Sequence, residues 1–142
     1  MSRPIKSSRL SKGDFEQLSE FRYQIRRFER FSENAAKEAG LTPLQYLLLL
    51  HIKGYPGREW ASVSELAERL QAQHHGVVAL VTRCEDLGFV TRSPSAEDRR
   101  VVEVRLTSAG TAMLVRLAAL HRAELQSLQG TFSIPDLPDA DA

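Results

Sequence analysis

The stretch from Ser62 to Gly110 constrains the fold of this chain more than any other. It reads as a short helix, a tight turn, a second helix that Gly88 ends, and two strands joined by a charged loop. Apolar residues recur at helical spacing in the two helices and alternate with charged residues in the return strand Val102–Leu106, which are the periods of a helix and of a strand. We therefore expect a helix-turn-helix followed by a β-hairpin, called the wing below.

Long helices are predicted on both sides of this stretch. The first spans about residues 11–39 and stops at Gly40, and the last begins after Thr107 and stops at Gly130. Glycine at these positions suits the left-handed turn that often ends a helix. The predicted fold class is mostly α with a small β-wing, a winged helix-turn-helix with long N- and C-terminal helices.

Capping signals mark two shorter elements ahead of the turn. Thr42 to Gln45 read as a capping box with proline at the first helical position, which predicts an apolar helix to about Lys53. A short strand is expected at Trp60, and Ser62 with Glu65 forms a second capping box that opens the first helix of the motif.

The two long helices carry apolar stripes that are wider than a lone domain of this size would cover. The stripes are Phe15, Leu18 and Phe28 in the first helix and Leu114, Leu117, Leu125 and Leu128 in the last. Exposed apolar patches mark interfaces, so we expect a homodimer. Three parts are then predicted: an N-terminal arm and dimerisation helix (1–40), the winged helix-turn-helix region (41–107), and a C-terminal dimerisation helix with an acidic tail (108–142).

Composition indicates an ordinary soluble protein of the cytoplasm. The 142 residues suit one domain, and no apolar run reaches the roughly 18–20 residues that a membrane span needs. The first ten residues read as a basic arm, whereas the chain from Thr131 carries aspartates and no Lys or Arg. The single cysteine, Cys84, excludes an internal disulfide and fits a reducing compartment.

The helix-turn-helix and wing point to DNA binding. The second helix of such a motif can enter the major groove, and arginines at a hairpin tip can reach the adjacent minor groove. The net charge is only +1, although DNA affinity depends on neutralising phosphates. We therefore expect double-stranded DNA to be bound by a few well-placed basic groups, which dimerisation doubles.

The second helix of the motif begins with residues that suit contacts with DNA. Gln73, His74, His75 and Gly76 stand at its N-terminal end, which faces base edges in a major groove. Glutamine pairs with adenine, histidine donates to purine N7 or to phosphate, and glycine permits a close approach. Alternatively, one histidine packs against the wing. A zinc site is not expected, because adjacent helical positions diverge by about 100° and no carboxylate or thiol cluster accompanies the two histidines.

Two further arginines are candidate contacts with phosphate. Arg83 follows Gly76 by two helical turns and shares its face; the alternative is a surface ion pair with Glu85 or Asp86. Arg92 lies in the first strand of the hairpin.

The tip of the hairpin carries Asp98, Arg99 and Arg100. The planar fork of an arginine finds acceptors in a narrow minor groove, so Arg100 is the candidate for this groove. Arg99 is a candidate for the groove or a phosphate, and Asp98 for orienting Arg100. The alternative is a solvated charged turn with no partner.

With these elements in order, the chain resembles the MarR family of winged helix-turn-helix regulators over roughly residues 11–130. The resemblance is carried by S-E-L-A-E-R-L (Ser64–Leu70), D-L-G-F-V (Asp86–Val90) and E-D-R-R-V-V-E-V-R-L-T-S-A-G (Glu97–Gly110). It implies an obligate homodimer, a pseudo-palindromic operator, transcription regulation with repression as the expected mode, and release from DNA by a small aromatic or phenolic effector. The loop from Lys53 to Trp60 looks longer than the common form of the family.

A pocket for such an effector is expected to draw on aromatic and histidine side chains, which suit a phenolic or carboxylate ligand. The candidates are Tyr46, His51, Tyr55, Trp60 and His121. For each of the five residues taken alone, however, a packing role is the favoured interpretation.

Other functions find less support in the sequence. Cys84 stands on an apolar stripe, so we expect a buried thiol and not a peroxide sensor. No catalytic motif, cofactor motif or metal-ligand spacing is present, and we do not expect an enzyme. The main alternative is a winged-helix module that binds a protein partner without specific DNA binding. Such a module has no need of both Gln73–His75 and Arg100.

Overall fold

The computed structural model describes residues 9–130 and 132–139. Its elements, in chain order, are α1 (Lys12–Glu38), α2 (Pro43–Lys53), β1 (Trp60–Ser62), α3 (Val63–Leu70), α4 (His74–Asp86), β2 (Val90–Pro94), β3 (Val102–Leu106) and α5 (Ser108–Leu128). The prediction of a mostly helical fold with a small β-wing is confirmed. The expected basic arm lies outside the described residues except for its last two positions, and the acidic tail is described over residues 132–139.

The chain divides into two compact units. One consists of the described residues within Met1–Phe31 and Ala123–Ala142, and the other is Ser32–Arg122. The second unit contains the whole helix-turn-helix and the wing.

Reciprocal side-chain caps fix where three of the helices begin. In each pair the first residue's hydroxyl accepts a backbone N–H of the helix, and the second residue's side chain accepts the N–H of the first. Such boxes satisfy N–H groups that have no partner within the helix, so these predicted boundaries hold. The pairs are Ser11–Asp14 before α1, Thr42–Gln45 before α2 and Ser62–Glu65 before α3, with donor–acceptor distances of 2.8–3.2 Å.

The three strands form one antiparallel sheet in the order β1-β3-β2. Val104 of β3 lies opposite Ala61 of β1 and Arg92 of β2. Partners in register share a face of a sheet, and Ala61 and Val104 are fully buried. Arg92 therefore lies on the inward face of the wing.

The core of the second unit is apolar and is built around α2. Leu48, Leu49 and Ile52 of this helix are fully buried, as its apolar sequence predicts. Four residues of α4 face the same core at helical spacing, namely Val77, Leu80, Val81 and Cys84.

Leu87 does not join this buried stripe, although its spacing of three residues after Cys84 predicts from the sequence that it would. It is 50% exposed. The reason is that α4 ends at Asp86, Leu87 is its C-cap, and Gly88 turns the chain with a φ of +82°. The side chain of Leu87 therefore lies past the last turn that packs on the core.

Leu114 and Leu117 were expected in an interface stripe, but both are buried in the core of the second unit. Together with Gly110 and His121 they form the buried face of α5, since residues three and four apart share one side of a helix. The core takes this face, so the apolar stripe that remains on α5 is narrower than predicted.

The start of α5 is in direct backbone contact with the turn after α4. Thr107 donates its hydroxyl to the carbonyl of Gly88 at 2.6 Å and its N–H to the carbonyl of Phe89 at 3.0 Å. A Cβ at Gly110 would lie 2.1 Å from the carbonyl oxygen of Phe89. Only glycine fits there, and the predicted Thr107 cap is present as a bond from the N–H of Gly110 at 3.0 Å.

The first unit holds part of the tail against α1. The rings of Phe21 and Phe132 lie 5.4 Å apart between centroids and are tilted by 36°, a favourable aromatic geometry. Phe15 and Leu125, from the two predicted interface stripes, are each about half exposed.

Candidate nucleic-acid interface

The N-terminal end of α4 is exposed, as contacts with DNA would require. Gln73 is the N-cap with an extended backbone, and its side chain makes no capping hydrogen bond. His74, His75 and Gly76 follow, all exposed. A Cβ added at Gly76 would meet no heavy atom within 4 Å, so this part of the helix is open surface. The alternative that a histidine packs against the wing is wrong.

A single left-handed residue makes the turn between α3 and α4. Gln71 has a φ of 51°, a region that residues with side chains seldom adopt. Its side-chain amide donates to the carbonyl of Glu68 at 2.8 Å. The same carbonyl also accepts the backbone N–H of Gln71 at 3.1 Å, so the end of α3 is held by both bonds, and the turn sets the angle at which α4 leaves.

Arg83 lies on the outer side of α4. It is exposed and forms no ion pair with any residue in the described ranges. The alternative reading of a pair with Glu85 or Asp86 is therefore wrong. Arg83 stands two helical turns after Gly76, on the same face of α4.

The tip of the wing is built around the Asp98 carboxylate. Ser95 and Val101 close the hairpin through a backbone hydrogen bond of 2.8 Å. Within the loop, Asp98 accepts the backbone N–H of Arg100 and two bonds from its guanidinium, from Nε and Nη2. These hydrogen bonds hold the pKa of Asp98 below its usual range.

Arg100 combines this support with nearly complete exposure. Its side chain is 90% exposed, against 42% for Asp98. One edge of the guanidinium is held by the aspartate, so the other edge is presented to solvent in a defined direction. Arg99 is exposed as well and forms no ion pair within the described chain.

Arg92 differs from the exposed Arg83 and Arg99 because it has an acidic partner, and from Arg100 because that partner lies on another element and its own side chain is only 30% exposed. Its Nη2 lies 3.0 Å from Oε1 of Glu85 on α4. The hydrogen bond from Arg92 lowers the pKa of Glu85. The pair joins the wing to the end of α4, and it leaves Arg92 less suited to phosphate than Arg83.

The five effector candidates do not form one cluster. Tyr46 and His121 stack in the core with ring centroids 5.2 Å apart, and both are buried. Nδ1 of His121 lies 2.7 Å from the carbonyl oxygen of Leu117, and burial raises the pKa of Tyr46. These two side chains have the packing role that the sequence favoured for them.

The other three candidates are half-buried and have basic neighbours. Tyr55 and Trp60 both contact the guanidinium of Arg58, which also pairs with Glu65. His51 has its pKa lowered by burial and by the positive charge of Arg69.

Arg58 was missed at the sequence level. A signal was present, because the loop K-G-Y-P-G-R-E-W sets an arginine between a tyrosine and a tryptophan, two residues before the strand begins. That spacing alone does not specify that both rings turn toward the same guanidinium.

Cys84 is a core residue, as predicted. It is fully buried, and burial raises the pKa of its thiol to about 11. Reactivity toward oxidants needs an exposed thiolate, so the structure gives no support to a sensing role.

Over residues 9–130 and 132–139, no three His, Cys, Asp or Glu side chains come together as a metal site would require. Across the same ranges, none of the helices is both long and apolar enough to cross a membrane.

Comparison with known proteins supports the family that the motifs suggested. Residues 39–101 match the model of the MarR family. The transcriptional repressor MdtR of Bacillus subtilis (strain 168) is 29% identical over 87 residues, which cover 61% of this chain and 54% of MdtR. A putative transcriptional regulatory protein for the hcr operon of Thauera aromatica is 31% identical over 96 residues, which cover 68% of this chain and 56% of that protein. The chain thus spans about half the length of these curated relatives, and their names as regulators agree with a protein that is not an enzyme.

Solved structures share the fold at low sequence identity. A MarR family protein from Bacillus stearothermophilus has a TM-score of 0.69 at 21% identity, covering 85% of this chain and 81% of the other. A cysteine-to-serine mutant of E. coli MarR complexed with operator DNA has a TM-score of 0.64 at 22% identity, covering 75% and 74%. Bordetella bronchiseptica BpsR, whose DNA binding is regulated by 6-hydroxynicotinic acid, has a TM-score of 0.62 at 20% identity, covering 77% and 81%.

The motifs, the family match and the fold agree, and this chain belongs to the MarR family of winged helix-turn-helix proteins.

Proposed function

We propose that this protein binds operator DNA as a homodimer in the cytoplasm and represses transcription by occupying the operator. In this proposal α4 enters the major groove and Arg100 enters the adjacent minor groove. Gln73, His74 and His75 read base edges or phosphate, and Gly76 allows close approach. Arg83 and Arg99 contact phosphate, whereas Arg92 acts mainly through Glu85.

The observation that carries the proposal is the wing tip. Arg100 is 90% exposed and yet its direction is fixed by Asp98. An exposed arginine normally keeps its rotamer freedom, whose loss on binding costs affinity. Fixing the guanidinium in advance reduces this cost, which suits a residue that enters a narrow groove.

Dimerisation belongs to the proposal because one protomer offers little basic charge. The net charge of the chain is +1, and specific binding by a helix-turn-helix uses two half-sites that mirror the two-fold axis of the dimer. The half-exposed Phe15 and Leu125 support an interface made by the parts assigned above to dimerisation, 1–40 and 108–142.

The effector is the finer part of the proposal. A small aromatic acid, of the class to which 6-hydroxynicotinic acid belongs, would bind near His51, Tyr55 and Trp60, which are half-buried. Arg69, which lies close to Tyr55 and His51, would attract its carboxylate. Binding there would release the operator only if the ligand prefers the protomer arrangement that does not fit DNA. The buried Tyr46 and His121 would respond to this change and not touch the ligand.

A titration tests DNA binding directly. Fluorescence anisotropy would compare a labelled duplex from the region upstream of the protein's own gene with a shuffled duplex of equal length and composition. We expect the upstream duplex to bind at least about a thousandfold more tightly, the lower end for specific regulators. Equal affinity would contradict operator recognition, and no binding to either duplex would favour the protein-binding alternative.

The effector is tested in the same assay. Trp60 is the only tryptophan, so its emission reports on a ligand bound beside it. We expect 6-hydroxynicotinic acid, used as the probe, to change this emission and to lower the affinity for DNA. A probe that does neither would contradict the proposed effector class.

A further inference from the structure

The loop between α2 and β1 contains an arginine held on three sides. The guanidinium carbon of Arg58 lies 3.8 Å from the ring centroid of Trp60 and 4.3 Å from that of Tyr55. Both distances are well inside the roughly 6 Å over which a cation and an aromatic ring attract. The same guanidinium donates to Oε2 of Glu65. These four residues are called the Arg58 clamp below.

Glu65 links the clamp to the helix-turn-helix. Its Oε1 accepts the N–H of Ser62 at 2.8 Å and completes the capping box of α3, while its Oε2 accepts from Arg58. Burial opposes ionisation of this carboxyl, but hydrogen bonds from Tyr55, Ser62 and Arg58 outweigh it and lower the pKa of Glu65 to about 2. One carboxylate therefore caps α3 and holds the loop at the same time.

The clamp also reaches the wing. Trp60 is the first residue of β1 and lies opposite Arg105 of β3, and Ser62 is both the last residue of β1 and the N-cap of α3. A shift of the clamp would therefore move the first helix of the motif relative to the sheet. Because α3 packs on α4, the distance between the reading helix and the wing tip would change with it.

We propose that Arg58 is a positioning residue for DNA recognition: the Arg58 clamp fixes α3 against β1 and so sets α4 and the wing at the separation that DNA requires. This inference rests on the proposed function. Arg58 itself need not touch DNA. The role needs a planar cation, since a guanidinium can stack on aromatic rings and still bond a carboxylate in its own plane, whereas an ammonium cannot.

The test measures the affinity for the upstream duplex and its salt dependence. Arg58→Lys keeps the charge but loses the stacking, and we expect binding about tenfold weaker, the scale of a residue that acts on a site without touching its ligand. The slope of log affinity against log salt should not change. A direct phosphate contact would behave in the opposite way, because lysine would preserve the contact.

For Glu65→Gln, simple electrostatics and the Arg58 clamp predict opposite changes in DNA affinity. Removing an acid close to a DNA-binding surface should strengthen binding through simple electrostatics. The clamp predicts weaker binding, again by about tenfold, since the amide retains the capping oxygen but not the charge that holds Arg58. Lys53→Gln is the matched control. It breaks the exposed Lys53–Glu59 pair of the same loop and should leave the affinity unchanged.

The possible outcomes separate the two claims. Variants of Arg58 and Glu65 that bind as tightly as the wild type would overturn the positioning role alone, and so would a slope that becomes shallower in Arg58→Gln. A wild-type protein that binds no DNA would overturn the proposed function and this inference with it. If Arg58→Lys lacks native helix content by circular dichroism, Tyr55→Phe takes its place. It removes only the hydroxyl bond to Glu65, and an affinity equal to the wild type would overturn the inference.

Discussion

Asp98 holds Arg100 through both its side chain and its backbone, with donor–acceptor distances of 3.0–3.1 Å for all three bonds. The two residues are separated by one residue in the sequence, so the hairpin loop alone is enough to produce this geometry. We expect Arg100→Ala to weaken binding to the upstream duplex by about 1–3 kcal/mol, the scale of one good contact in a groove. A gel-shift titration at fixed salt measures this loss.

Asp98→Asn is a milder variant that tests the orienting role of Asp98. It keeps one acceptor oxygen but loses the charge, so we expect a smaller loss of affinity than for Arg100→Ala. Neither change should alter the melting temperature, because both side chains lie at an exposed hairpin tip. An affinity for the Arg100 variant equal to that of the wild type would remove the minor-groove role.

The salt dependence of binding should reflect three arginines in each protomer and not four. Arg83, Arg99 and Arg100 are exposed, whereas Arg92 is paired with Glu85. If the minor-groove Arg100 also displaces a counterion, the six arginines of a dimer give a slope of log affinity against log salt of about −5. Arg83→Gln should make the slope shallower by about two units, and Arg92→Gln, the control, should leave it nearly unchanged. A wild-type slope near zero would mean that phosphates are not engaged.

The oligomeric state tests the proposed interface. We expect a dimer at micromolar concentration in light scattering, with an interface above roughly 2,000 Å², as is common for obligate dimers. Leu125→Glu should favour the monomer, because a buried charge without a partner is costly. Leu44→Glu is the control, since Leu44 is similarly exposed but lies on α2. A monodisperse wild-type monomer, or equal effects of the two variants, would contradict the assignment.

Glu65 predicts a specific loss of stability in acid. Its pKa is about 2 in the folded protein against 4.5 for the free side chain. A carboxyl with a lowered folded pKa stabilises the protein fully above 4.5 and loses that contribution as the pH falls toward 2. Allowing for solvent screening, we expect the free energy of unfolding to fall by about 1 kcal/mol more in the wild type than in Glu65→Gln between pH 7 and pH 3.

Urea denaturation at the two pH values provides the comparison. Other carboxylates titrate equally in both proteins, so the difference between wild type and variant isolates Glu65. Parallel losses in the two proteins would show that the hydrogen bonds to Glu65 do not stabilise the fold.

Replacing Gln71, the left-handed residue between α3 and α4, with glycine should stabilise the protein. A side chain in this region costs about 1–2 kcal/mol, and glycine avoids that cost at an entropic penalty of roughly 0.5–1 kcal/mol. We expect Gln71→Gly to raise the free energy of unfolding by up to about 0.5–1 kcal/mol. Ala79→Gly, at an exposed position inside α4, should lower it by about 1 kcal/mol. Chemical denaturation measures both, and a Gln71 variant less stable than the wild type would show that the bond to Glu68 outweighs the strain.

Features that depend on neighbours in the sequence could be predicted, and features that depend on packing could not. The capping boxes at Thr42 and Ser62 and the aspartate beside Arg100 act over two or three residues, so spacing specifies them. The partner of Arg92 is Glu85, which lies seven residues away on another element. From the sequence, Glu85 was considered as a partner of Arg83 instead. Likewise, the sequence marks Leu117 as apolar but does not tell a core position from an interface position.

The effector candidates show the same limit of local patterns. Composition predicted aromatic and histidine residues around a ligand, but the fold stacks Tyr46 on His121 and turns Tyr55 and Trp60 toward Arg58. Only the three-dimensional arrangement separates these two pairs, because all four residues have the same chemical suitability for a pocket.

The contact between Gly110 and the carbonyl of Phe89 bears on how such a protein can change by mutation. No other amino acid fits at Gly110, so a library of substitutions there should yield no folded protein but the parent. At Gly76, also helical, the surrounding space accepts any side chain, and alanine should even strengthen the helix by about 1 kcal/mol. Selection for folding alone would therefore retain the first glycine and discard the second. A glycine that persists at position 76 in functional variants would be retained by what binds to it.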